Sequence, residues 1–108
     1  MYSQELAANS KFEHSGVTDQ GENLWMGSSD TSLMTIVQDW GAEQAFFISG
    51  VFPDVSKTGN WADVGHYTQM VWRNVVMVGC GGTTGSDGIL RFVCRYSPPG
   101  NFLGETVF

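Results

Sequence analysis

Positive charge is scarce in this chain. Of its 108 residues only five are Lys or Arg, against eleven Asp and Glu, and the formal net charge is −6. Lys11, Lys57, Arg73, Arg91 and Arg95 do not gather into one patch. Phosphate contacts need such a patch, so the composition argues against a nucleic-acid partner. Long apolar runs are missing as well: nothing approaches the roughly 18 apolar residues of a spanning helix, which leaves no transmembrane segment. Met1 opens no recognisable secretory leader. Gly79, Gly81 and Gly82 surround Cys80, but no Lys-bearing phosphate loop follows them, and no GxSxG nucleophile elbow occurs. Those glycines read as strand bends.

What is present suits a single domain over residues 1–108. The chain is 42% apolar and 13% aromatic, enough for a modest core. Residues 2–10 (YSQELAANS) read as the last turns of a helix. GENLWMG (21–27) reads as a short extended segment. Asp30 or Thr31 is expected to cap a helix over about 31–47. Its apolar stripe is Leu33, Ile36, Val37 and Trp40, at i, i+3, i+4 and i+7. Gly41 interrupts it, and Glu43 falls on the apolar face, where an unpaired charge is costly. Residues 49–64 form a long irregular loop, the kind that is more often functional than decorative. A short helix is expected at 66–73, then a hairpin of strands 75–83 and 88–97. The tail SPPGNFLGETVF is expected to be loop or polyproline-like.

GSDG (85–88) is a turn signal. Folding the hairpin about residue 87 sets Cys80 opposite Cys94, close enough for a disulfide if the pair is not hydrogen-bonded. Two small buried thiols are the alternative. A disulfide implies an oxidising compartment, hence a secreted or periplasmic protein.

The two histidines, His14 and His66, each stand beside a small residue at the edge of an ordered element. Glu22 and Glu43 are two carboxylates poorly placed for plain exposure. Imidazole and carboxylate together suit a divalent ion, zinc foremost. His14 and His66 would be ligands. Glu22 and Glu43 would hold the second ring nitrogens, complete the shell or act on a bound water. The spacing of the four matches no local metal motif. The plainer alternative makes His66 a helix-edge residue, His14 a loop residue and the glutamates acceptors of backbone N–H. Ser28 and Ser29 are weak candidates for a serine nucleophile. The tryptophans read as core, with Trp61 allowed at a groove rim.

GHYTQMVWRN (65–74) resembles the first signature of the CAP superfamily, the cysteine-rich secretory proteins, antigen 5 and pathogenesis-related protein 1. FVCRYSPPGN (92–101) resembles its second signature. HSG (14–16) and GENLW (21–25) resemble two further blocks in the right order, and the wording around GNWADVGHYTQMVWRN is most like bacterial members. The resemblance implies an α+β fold, an α–β–α sandwich with a three-stranded antiparallel sheet between helical layers. It also implies a cleft holding His14, Glu22, Glu43 and His66, able to bind zinc or another divalent ion. In such a family lipid, sterol and glycan binding and proteolysis have all been proposed, and no single reaction is shared. The resemblance further implies that the first helix and most of the second are missing here, so that exposed apolar surface is covered by a homodimer or another partner. A secreted binding module for lipid, sterol or glycan is the favoured expectation. A metal-dependent or serine-type hydrolase using Glu22, Glu43 or Ser28 is the alternative, and a remnant without activity is the blandest. Whether the protein is an enzyme stays open.

Overall fold

The computed structural model describes residues 20–108. The helix expected at 2–10 and the HSG block lie outside the described residues. Chain order is β1 (Gly21–Ser28), α1 (Leu33–Ala42), a 3-10 turn (Glu43–Phe46), a second 3-10 turn (Trp61–Asp63), α2 (Gly65–Val71), β2 (Met77–Thr84) and β3 (Ile89–Ser97). The three strands form one antiparallel sheet in the order β1-β3-β2. The architecture is therefore α+β, as expected.

The helix cap differs from expectation. Ser32, not Asp30 or Thr31, caps α1, its Oγ accepting the Thr35 N–H at 3.2 Å. Asp30 instead accepts the Ser28 hydroxyl, and the Thr31 N–H is spent on the Ser28 carbonyl. The α-helix also ends earlier than the expected 47, tightening into a 3-10 turn at Glu43, a common way for a helix to stop. Of the predicted stripe, Ile36 and Trp40 are buried, while Leu33 and Val37 are exposed. Periodicity marks an apolar face but not how much of it finds a neighbour.

Strand alternation sorts the sheet into two faces. On one, Phe92, Cys94 and Tyr96 of β3 pack against Ile36 and Trp40 of α1, with Trp25 and Met70 alongside. On the other, Leu24 and Val93 are buried together. The hairpin register is the one read from the sequence. Cys80 lies opposite Cys94 and the two are disulfide-bonded, with Cα atoms 4.1 Å apart. The turn is closed by Gly88 at φ +78°, which a side chain would resist. Asp87 accepts the Ile89 N–H and takes both Arg91 amino groups, at 3.0 and 2.8 Å. Those contacts, Arg91 foremost, hold the Asp87 carboxyl down at about 2.

Two irregular segments prove more structured than their sequence suggests. The tail after β3 is not a loose loop: the Val107 carbonyl accepts the Arg73 N–H at 2.9 Å, and Val51 bridges Thr106. Val107 then joins Phe52, Val55, Val64 and Trp72 in a second core. The loop 49–64 thus builds part of the interior; its backbone groups bond mostly within the loop and to Phe46 and Ile48, and at Phe52 to the tail.

Candidate functional site

The site grows around the first turn of α2. This helix has seven residues, too short to be stable alone, and Val64 before it offers no side-chain cap. Its free N–H groups must find partners elsewhere. Glu43 supplies one: its Oε1 accepts the Tyr67 N–H at 3.0 Å. A carboxylate at a helix N-terminus also meets the positive end of the helix dipole. Its other oxygen, Oε2, lies 2.9 Å from His66 Nδ1. The carboxylate placed on the apolar face of the sequence helix is therefore fully partnered. Glu43 thus meets an imidazole and a backbone amide at once.

Because an ionised carboxylate only accepts, Nδ1 is the nitrogen that carries the proton in the neutral imidazole, the tautomer in which Nε2 keeps its lone pair. The ring is further fixed by Trp40, which stacks on it at 5.6 Å with planes 10° apart. The His66 side chain remains 37% exposed. Carboxylate behind, indole on one face and an open nitrogen ahead is the arrangement that orients a metal-ligating histidine.

Asn23, which is 1% exposed, ties β1 to this turn. Its Nδ2 donates to the His66 carbonyl and to the Tyr96 hydroxyl, each at 3.1 Å. Burial pushes the Tyr96 phenol up to about 12, against the smaller pull of the Asn23 bond. From the other side Asn101 donates to the Gly65 carbonyl at 3.0 Å and accepts the Thr68 hydroxyl at 2.6 Å. Asn101 sits at φ 56°, a left-handed conformation that asparagine tolerates. Trp61 leans on Gly65 so closely that a Cβ there would lie 2.8 Å from the indole. The indole is backed by Phe52 of the second core at 5.3 Å.

Between these parts lies a cavity of about 210 Å³, bordered by Glu22, Asn23, Trp61, Gly65, His66 and Asn101. Glu22 stands opposite Arg95 in the β1–β3 register, and Arg95 Nε donates to its Oε2 at 2.9 Å. Glu22 and His66 thus share one cavity, with Glu43 behind His66 and outside that wall. His14 lies outside the described residues. Ser28 is not with them. It ends β1 six residues beyond Glu22, about 20 Å away at strand rise, where its hydroxyl is bonded to Asp30. Trp61 is at the rim as the sequence allowed; Trp40 and Trp72 are core. Sequence reasoning missed Asn23, Arg95 and Asn101. A buried amide in the middle of GENLW, and the Asn closing FVCRYSPPGN, were the available signals.

A model of the cysteine-rich secretory protein family, CAP, matches residues 1–96. A PR-1 type pathogenesis-related protein of Sambucus nigra is 36% identical over 105 residues, spanning 96% of this chain and 60% of that protein. Human cysteine-rich secretory protein 3 is 38% identical over 120 residues, spanning 96% and 47%. The chain thus spans about half to three fifths of the length of these relatives. The crystal structure of NaASP2 with Zn2+ superposes with a TM-score of 0.71 at 29% identity, covering 98% of this chain and 60% of that one.

Proposed function

The chain belongs to the cysteine-rich secretory protein family, CAP, and from that premise we propose that it is a secreted binding module whose cleft takes a divalent metal, zinc, on His66 Nε2. The observation that carries this reading is the 2.9 Å contact between His66 Nδ1 and Glu43 Oε2, which turns the open ring nitrogen outward. The fit is partial. Among the described residues no group of three or more His, Cys, Asp or Glu side chains could hold an ion. We assign the second imidazole to His14. A similar chain, NaASP2, has a crystal structure with Zn2+, which supports the same choice of ion here.

A bound zinc ion would offer a Lewis-acid site to an oxygen of the ligand. The rest falls to the chain: Glu43 holds the His66 proton at Nδ1, Trp40 fixes the ring plane, and Asn23 and Asn101 hold the turn that carries it. The cavity, at about 210 Å³, falls below the roughly 300–1,000 Å³ of sites that enclose drug-sized ligands. It suits a sugar ring stacked on the 45% exposed Trp61, or the head group of a lipid or sterol, rather than a whole amphiphile. The Cys80–Cys94 disulfide, with no free cysteine among the described residues, favours an oxidising compartment. The serine-hydrolase alternative finds no support, since among the described residues no Ser, Thr or Cys borders the cavity.

Calorimetric titration of zinc tests the reading. Wild type is expected to bind at pH 7.5 and less tightly at pH 5.5, because imidazole must shed its proton to ligate. His66→Ala and His14→Ala should each lose most of the affinity. Equal binding at both pH values, or wild-type binding by His66→Ala, would overturn it.

A further inference from the structure

We propose that Arg95 is a built-in counter-ion that withholds Glu22 from any cation in the cleft, and so sets how tightly the cleft holds a divalent metal. This rests on the metal reading above. The strand register places the two residues opposite each other on one sheet face, and Arg95 Nε lies 2.9 Å from Glu22 Oε2. The burial is lopsided: the Glu22 side chain is 4% exposed, the Arg95 side chain 32%. The carboxylate is thus the member taken out of water, and a buried carboxylate needs a partner charge to stay ionised. The guanidinium supplies it.

The same carboxylate borders the cavity with His66. A metal ion that recruited Glu22 would have to compete with the guanidinium for the carboxylate and sit near its positive charge. Both effects lower affinity. Glu43 offers no substitute, because its two oxygens are committed to the His66 ring and the Tyr67 N–H. Neither cleft glutamate is therefore spare. The ion is held by imidazole, while Glu22 serves the sheet. Arg95 comes from the second signature and Glu22 from the GENLW block, so the register alone makes them a pair.

Zinc titration of wild type, Arg95→Met, Glu22→Gln/Arg95→Met and His66→Ala at pH 7.5 tests this, with melting temperatures read with and without zinc. Arg95→Met is expected to bind about tenfold tighter than wild type, at the lower end of what partners of metal ligands change. It should melt lower without metal and gain more on adding zinc. The double variant should regain melting temperature and return to wild-type affinity. If Arg95→Met does not fold, Arg95→Gln carries the same test, since its amide still donates to Glu22 but brings no charge; it should bind tighter than wild type as well. An affinity no higher in these variants overturns the assignment, as does a gain that survives in the double variant. The two readings fail differently. If His66→Ala loses zinc while Arg95→Met binds like wild type, only the counter-ion role falls. If neither wild type nor Arg95→Met takes zinc, both fall.

Discussion

Glu43→Gln isolates how His66 is oriented. Glutamine keeps the shape of glutamate but replaces one acceptor with an NH2 donor. In the native site Oε1 accepts the Tyr67 N–H at 3.0 Å and Oε2 meets His66 Nδ1 at 2.9 Å. Two placements of the amide are open. If its NH2 faces the Tyr67 N–H, two donors oppose each other, and a helix N-terminal amide is left without an acceptor, costing about 1–3 kcal/mol. If its oxygen keeps the Tyr67 N–H, the NH2 faces Nδ1, which must then accept. The imidazole proton moves to Nε2, while the ring stays stacked on Trp40. The second placement keeps every bond and wins. Stability should fall by only about 1 kcal/mol, as a charge-assisted bond becomes a neutral one. Zinc affinity should fall by about 10- to 100-fold, because the nitrogen facing the cleft has lost its lone pair. Long-range 1H–15N correlation spectra read the tautomer without any metal, and zinc titration reads the consequence. A Glu43→Gln protein whose His66 keeps its proton on Nδ1, or which binds zinc as wild type does, would refute the reasoning.

Three further outcomes follow from the fold. Cys80 and Cys94 close a segment of 14 residues, so Cys80→Ser/Cys94→Ser should lose about 3 kcal/mol in urea denaturation; a loss near zero would mean β3 pairing alone holds β2. Tyr96, raised from 10.0 to about 12 mainly by burial, keeps its proton in the fold after the unfolded chain has released it. Its contribution to stability is thus complete below pH 10 and lost as pH rises toward 12, and tyrosinate absorbance should show one of the three tyrosines ionising late; early ionisation of all three would contradict its burial. Asp87, lowered from 3.8 to about 2 chiefly by Arg91, contributes stability above pH 3.8 that disappears as pH falls through 2. Arg91→Met should return its carboxyl titration, followed by NMR, toward 3.8, and an unchanged titration would reject the pair.

The elements carried by period or by turn chemistry were legible: the strand in GENLWMG, the helix with Ile36 and Trp40 inward, and the hairpin with its cysteine register. Residues 49–64 and the tail were not. Their order comes from isolated bridges such as Val51 to Thr106 and from scattered apolar residues meeting in space, as Phe52 meets Val107. No local pattern encodes that. The site was legible only in part for the same reason. His66 and Glu43 lie 23 positions apart, a spacing that matches no helix or strand period, and resemblance rather than periodicity joined them. Arg95 stayed invisible because a cross-strand partner is defined by register, and β1 and β3 are separated by the whole helical middle of the chain.

The scattered motif blocks nevertheless share one physical task. A helix of seven residues cannot hold itself, and α2 is held at its first turn by side chains from distant segments. Glu43 takes the Tyr67 N–H, Asn23 grips the His66 carbonyl, and Asn101 grips the Gly65 carbonyl. GENLW, the end of α1 and the PGN of the second signature are thus three clamps on a single turn, and that turn is where His66 projects. Removing a clamp loses a bond that holds this turn and shifts the imidazole in the same event, so stability and cleft geometry are coupled here by construction. The coupling has a measurable form. Asn23→Ala leaves the Glu43 contact intact, yet it should cost about 1–3 kcal/mol and weaken zinc binding together, whereas Arg91→Met, which breaks the Asp87 contact at the hairpin turn and touches no clamp, should lower stability alone. Zinc affinity that tracked stability equally in both variants would show that general loosening, not the clamped turn, governs the cleft.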